Sequence, residues 1–264
     1  MSISTEGSRR VNGVPEFDTA AASGTSSLVG PTDSDVRVSV HSGDGELRAV
    51  LWDMDGTLLD SEKLWDIGVR ELSVELGGEM TEQTRHALIG AAAPNALRII
   101  FEGLGLEPDP AAMAEAGRWL ERRVMDLMSG SIPWRPGAPE ALAAVRAAGL
   151  ATGLVTNTKR SVTELCLNTL GREYFDVTVC GDEVERGKPA PDPYLRAAEL
   201  LGVPAARCVA IEDSVTGSAS AAAAGCAVLV VPCEIPVPPR PGYSFRDSLI
   251  GLTIDDLRAL RRSV

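Results

Sequence analysis

The spacing of apolar positions changes twice along the chain. Residues 47–52, LRAVLW, form a short apolar run that reads as a buried strand. From residue 62 to about residue 130 the apolar positions instead recur at three and four. KLWDIGVRELSVELGG, TEQTRHALIG, APNALRIIFEGLG and PAAMAEAGRWLERRVMDLMSG all keep that period, and none shows strand-like alternation. They predict an all-helical block of roughly 70 residues, domain-sized by length. SIPWRPGAPEAL then breaks the pattern with Pro133, Pro136, Gly137 and Pro139, a hinge or linker signal.

Beyond this break, helical and strand-like segments alternate. PEALAAVRAAG, SVTELCLNTLG, PDPYLRAAELLG and TGSASAAAAG read as helices; LATGLVTN, FDVTVCG, RCVAIEDS and CAVLVVP read as strands. Prolines at the first turn of the third helix fit its start. TIDDLRALRR closes the chain as a helix with Thr253 as its cap. Such alternation predicts an α/β fold, a Rossmann-like parallel sheet with helices on its faces. The strand at 47–52 then belongs to this later sheet, and the helical block is inserted after it. The expected division is an α/β core of residues 47–60 and 134–264 and a helical insertion of residues 61–133. The crossings at 58–62 and 132–137 lie where a hinge could act.

The first 46 residues are rich in Ser, Thr, Gly and Asp and lack the apolar centre of a secretory signal. They read as a disordered tail. No run approaches the ~18 apolar residues of a membrane span.

Composition narrows the function. The net charge of −12 over 264 residues disfavours a nucleic-acid surface. It leaves small anionic substrates open, because a few local donors and a metal can reverse the field of one site. Cys166, Cys180, Cys208, Cys226 and Cys233 form no C-x-x-C pair and read as small buried hydrophobes in a reducing, cytoplasmic setting. The two histidines, His41 and His86, have no ligand-like spacing, so no zinc site is expected. With no exposed apolar stripe, a monomer is expected.

Ligands of open parallel sheets bind at the carboxyl ends of the strands. The first strand is followed by Asp53 and Asp55, the second by Thr156 and Asn157, and the third by a loop carrying Lys188. The fourth ends in Glu212 and Asp213. An acid at one strand end usually shapes a turn or caps a helix; polar groups at four ends together point to a site. Asp53, Glu212 and Asp213 bring negative charge that a hard, oxygen-seeking cation such as Mg2+ would offset. Lys188 and the Thr156 hydroxyl could hold the oxygens of a phosphoryl group. Asp53 could then attack phosphorus, with Asp55 as the acid and base.

DMDGTLLDSE, VTNT, GKPAPDPY and IEDS, in this order, resemble the four motifs of the haloacid-dehalogenase-like hydrolase superfamily. The likeness spans about residues 47 to 260. A helical insertion right after the first motif resembles the type with a small four-helix cap, which includes beta-phosphoglucomutase, phosphoglycolate phosphatase and sugar-phosphate phosphatases. The resemblance implies a Mg2+-dependent phosphatase of a small phosphorylated metabolite. Asp53 is implied as nucleophile and metal ligand, and Asp55 as acid/base with its backbone carbonyl on the metal. Thr156 and Asn157 are implied to bind phosphate, and Lys188 to pair with nucleophile and phosphate. Asp213 is implied as a metal ligand, and Glu212 as a second ligand or an orienter through water. Gly56 and Thr57 would shape the turn.

An aspartate at position 55 favours phosphate esters, because dehalogenating and phosphonate-cleaving members lack it. The alternative is a phosphosugar mutase; the best-known mutases carry a histidine where this chain has Trp65. A phospho-acceptor signalling domain would need neither Asp55 nor a helical insertion and would be about half as long. In LIGAAAPNAL and just before it, Arg85, His86 and Asn95 are the polar candidates for substrate contact, and solvent-facing helix positions explain them equally well. Trp65 and Trp119 are expected to pack within the insertion and Trp134 at the hinge. Residues 219–225, ASAAAAG as far as the glycine, are expected to form a tightly packed helix.

Overall fold

Strand β1 (Ala49–Trp52) is buried on both faces in the computed structural model, as its unbroken apolar run requires. The structure describes residues 46–88, 91, 93–130 and 132–263. The expected tail lies almost wholly outside the described residues, as does part of the LIGAAAPNAL segment.

After β1 come helices α1 (Glu62–Glu75), α2 (Glu82–Leu88), α3 (Ala93–Gly103) and α4 (Pro110–Met128). Asp109 caps α4 by accepting from the Ala112 N–H, and Pro110 sits where a missing donor costs nothing. The alternation then runs α5 (Ala138–Ala147), β2 (Ala151–Val155), α6 (Arg160–Leu170), β3 (Val177–Val179), α7 (Asp192–Leu201) and β4 (Cys208–Glu212). It ends with α8 (Val215–Ala223), β5 (Ala227–Val230), β6 (Tyr243–Phe245) and α9 (Ile254–Arg262). Thr253 and Asp256 form a capping box at α9.

The six strands are parallel in the order β3-β2-β1-β4-β5-β6. Strand β1 is therefore central, and the order reverses between β1 and β4. Strand β6 was not expected from the sequence. It is three half-exposed residues, YSF, after a proline-rich stretch, too short to show a period and held as an edge by pairing with β5.

Alternate strand residues point to opposite faces. Val50, Trp52, Val209 and Ile211 join one apolar cluster, while Ala49, Leu51, Ala210 and Val228 join another with α7 and α8. The first cluster runs on through Leu58, Leu59 and Ile132 into Leu72, Ile100, Leu120 and Val124 of the inserted helices. The two crossings are joined to each other. Leu59 bridges Trp134 antiparallel, Asp60 N–H donates to Pro133 O at 2.8 Å, and Arg135 N–H donates to Leu58 O at 2.9 Å. Trp134 and Trp119 pack against the first cluster, as expected. Helix α8 is tightly packed, with Gly217, Ser218, Ser220 and Ala221 all buried.

Candidate active site

Strand order places the carboxyl ends of β1, β2 and β4 side by side. Asp53 N–H continues the ladder to Ile211 O at 3.0 Å, which carries the Asp53 side chain to the rim. The chain then turns at Gly56, where φ is +83°. A Cβ there would lie 2.1 Å from Asp213 Oδ2, so only glycine lets the turn pass this close to the carboxylate.

Lys188 gathers the charged groups. Its Nζ donates to Asp53 Oδ1 at 2.6 Å, to Glu212 Oε1 at 2.6 Å and to Val155 O at 2.9 Å, which uses all three N–H groups. Lys188 is 4% exposed, Asp53 6%, Asp213 5% and Glu212 0%, so water screens these contacts little. Burial, then the Glu212 charge, pushes the Asp53 carboxyl up to about 7, with Lys188 pulling partly the other way. Burial, then the charges of Asp53 and Glu212, holds Asp213 well above the usual carboxylate range. For Lys188 burial alone would lower the ammonium, but Asp53 and Glu212 outweigh it and hold it above its ordinary value.

The ligand atoms of Asp53, Glu212 and Asp213 lie within 4.8 Å of one another. Asp53 Oδ2 is buried and accepts no hydrogen bond. Three carboxylates against one ammonium, with an unsatisfied inward oxygen, suit a hard divalent cation such as Mg2+.

Asp55 is held apart from that group. Its Oδ1 accepts from Ser61 Oγ at 2.6 Å and Trp65 Nε1 at 3.2 Å; its Oδ2 accepts from Thr158 Oγ1 at 2.7 Å and Thr156 Oγ1 at 3.3 Å. Trp65 was expected only to pack. It does pack against the apolar cluster, but its indole N–H also reaches Asp55 across the start of the insertion. Asn157 was expected to contact phosphate. Its side-chain amide instead clasps the Lys188 backbone, donating to Lys188 O at 3.2 Å and accepting from Lys188 N–H at 2.8 Å. The second N–H of that side-chain amide takes no part in the clasp.

The candidate substrate residues in the insertion lie differently. Arg85 donates to Asp66 Oδ1 at 2.7 Å and to Glu234 Oε2 at 2.6 Å, linking α2 to the segment after β5. His86 is exposed. Asn95 is exposed and accepts from Arg98 at 2.7 Å. These contacts agree with the solvent-facing alternative for His86 and Asn95.

Sequence reasoning missed Ser61, Thr158, Ser214 and Tyr194. Tyr194 OH donates to Glu212 Oε1 at 2.7 Å, and Ser214 Oγ donates to Glu212 Oε2 at 3.2 Å. Burial and the Glu212 charge push the Tyr194 phenol well up, which keeps it a donor. Ser61 and Thr158 lie inside quoted motifs, and hydroxyls so near Asp55 and Thr156 were a usable signal. Ser214 and Tyr194 close the quoted motifs IEDS and GKPAPDPY, but nothing local shows that both reach Glu212, and a tyrosine on a helix is usually core.

A parallel sheet with a buried acidic cluster at its switch point, one that could hold a metal ion, defines a class of α/β enzyme. The description "haloacid dehalogenase-like hydrolase" matches residues 47–225, and the chain belongs to that family. The family is one of hydrolases, which makes the chain an enzyme of hydrolase type. Protein CbbY of Rhodobacter capsulatus is 35% identical over 197 residues, covering 72% of this chain and 87% of that protein. The phosphorylated carbohydrates phosphatase of Thermotoga maritima is 33% identical, covering 68% of this chain and 82% of that protein. Among solved structures, CbbY from Rhodobacter sphaeroides in complex with xylulose-(1,5)bisphosphate superposes with a TM-score of 0.70 at 29% identity. That match covers 78% of this chain and 96% of the other. No helix of the described residues is long and apolar enough to cross a membrane.

Proposed function

We propose that the protein is a Mg2+-dependent phosphatase that hydrolyses a small phosphorylated metabolite, a sugar phosphate or similar, through an aspartyl-phosphate on Asp53. The observation that carries this reading is the buried Asp53–Lys188–Glu212 network beside Asp213, with Asp53 Oδ2 left without a partner. The phosphatase names among the relatives support the substrate class.

Asp53 and Asp213, with the Asp55 backbone carbonyl, would hold Mg2+. Glu212 already accepts from Lys188, Tyr194 and Ser214 and acts mainly as an orienter. When bound, the cation offsets the carboxylate charge and that of the phosphoryl oxygens. The Asp53 carboxylate attacks phosphorus in line, forming a P–O bond as the bond to the ester oxygen breaks. Asp55 gives that leaving oxygen its proton. The resulting carboxylate takes a proton from water as water attacks the aspartyl-phosphate, which restores Asp53 and releases phosphate. Lys188 steadies the phosphoryl oxygens by its charge, and the Thr156 hydroxyl does so by turning its proton from Asp55 to them. The inserted helices act as a four-helix cap over the crevice, hinged at the paired crossings, and set selectivity by closing.

The test is phosphate release from sugar phosphates, phosphoglycolate and nucleotides, with Mg2+ and with chelator. Chelator-sensitive release from one or a few of them is expected. No release from any of them by folded protein, with glucose 1-phosphate converted to the 6-isomer once a bisphosphate primer is added, would establish the mutase instead.

A further inference from the structure

Lys188 is shared between two carboxylates at equal distance, 2.6 Å to Asp53 Oδ1 and 2.6 Å to Glu212 Oε1. How strongly it serves Asp53 therefore depends on how well Glu212 is satisfied by others. Glu212 is fully buried at the end of β4, and its carboxylate lies against the first turn of α8. A Cβ on Gly217 would fall 2.0 Å from both Glu212 oxygens, so the carboxylate cannot retreat in that direction. On Oε1, the oxygen that Lys188 uses, the second donor is the Tyr194 hydroxyl at 2.7 Å. Tyr194 is itself fully buried on α7, six residues after Lys188, and its ring centroid lies 5.3 Å from Lys188 Nζ. The ring thus adds attraction for the ammonium, while the hydroxyl relieves the carboxylate that competes for it.

We infer that Tyr194 is a positioning residue for phosphoryl transfer: its hydroxyl, by sharing Glu212 Oε1, keeps the Lys188 ammonium from being drawn off the Asp53 nucleophile. This rests on the reading of Asp53 as the nucleophile. The hydroxyl touches neither Asp53 nor any position proposed for substrate, so it acts only through Glu212 and Lys188. Without it, Glu212 Oε1 keeps Lys188 as its one strong donor and draws the ammonium towards β4. Asp53 then loses part of the contact that orients it, while the crevice that receives the substrate is unchanged.

Tyr194→Phe isolates the hydroxyl, because the ring and its contact with the ammonium remain. Wild type and Y194F are compared with p-nitrophenyl phosphate and Mg2+, alongside thermal melting. Y194F is expected to lose about tenfold in kcat, the scale of one charge-assisted hydrogen bond. KM should stay within about twofold and the melting temperature within a few degrees, a split that a purely structural residue would not produce. A folded Y194F with wild-type kcat overturns the inference, as does a rise in KM with kcat intact. A Y194F chain that cannot be recovered folded also overturns it, since the hydroxyl would then serve stability. Absence of Mg2+-dependent turnover by the wild type would instead overturn the phosphatase reading, so the two failures are distinguishable.

Discussion

At the scale of single residues, the site is a contest among buried charges that one ammonium cannot neutralise alone. Asp53 is the residue on which the contest turns, because it gives one oxygen to Lys188 and leaves the other without a partner. Asn at position 53 keeps an acceptor for Lys188 and the same shape, but it removes the nucleophile. Asp53→Asn is expected to leave the fold intact by circular dichroism and to lower Mg2+-dependent phosphate release by about a thousandfold or more. Substantial residual turnover in a folded variant would remove Asp53 from that role. The sequence made Asp53, Asp55, Thr156, Lys188, Glu212 and Asp213 visible because each sits in a short motif at a strand end. It could not show that Asn157 grips the Lys188 backbone or that Trp65 reaches Asp55. Those contacts join residues 31 and 10 positions apart, and residue type alone does not report which partner wins.

At the scale of elements, the turn after β1 decides how close the carboxylates come. Its glycine does two jobs, taking a positive φ and leaving room for Asp213. Gly56→Ala is expected to cost about 1–3 kcal/mol of stability through the strained φ and the displaced carboxylate. It should also lower kcat by about 100-fold, because displacing a reacting group by roughly an ångström has that scale of effect. Denaturant titration and steady-state rates check both, and a G56A enzyme with wild-type rates would show that the close approach is dispensable. Most elements were legible from period alone, including the four inserted helices and the strands β1 to β5. Strand β6 was not, since three residues cannot display a period and this strand exists only because β5 offers an open edge. The pairing of Leu59 with Trp134 was also invisible, because it is made between the two crossings rather than within either.

At the scale of the whole molecule, burying the carboxylates couples stability to pH and to metal. Asp53 is raised from an ordinary value of 3.8 to about 7, and Asp213 is also raised, both chiefly by burial. Between about pH 4 and 7 the metal-free folded chain therefore holds protons that the unfolded chain has released. Its stability falls as pH rises through that window, since the state binding more protons is favoured by acid. The melting temperature without metal is thus expected to fall by several degrees from pH 5 to pH 8. Saturating Mg2+ should raise it more at pH 8 than at pH 5, because fewer protons compete for the carboxylates. A metal-free melting temperature that is flat or rising over this range would show that the acids are not penalised as the burial implies.

The sequence by itself determined the α/β class, the helical insertion after the first strand and the set of acidic, hydroxyl and ammonium groups at the strand ends. These follow from local period and from short motifs, which are properties of neighbours along the chain. Only the tertiary structure decided how those groups share one another: Lys188 between Asp53 and Glu212, Tyr194 on Glu212, Asp55 held by Ser61, Trp65, Thr156 and Thr158. The reason is that burial makes every unmatched charge costly, so each donor goes to whichever acceptor the packed strands and helices bring within reach. That reach is set by strand order and helix packing, which no single stretch of sequence contains.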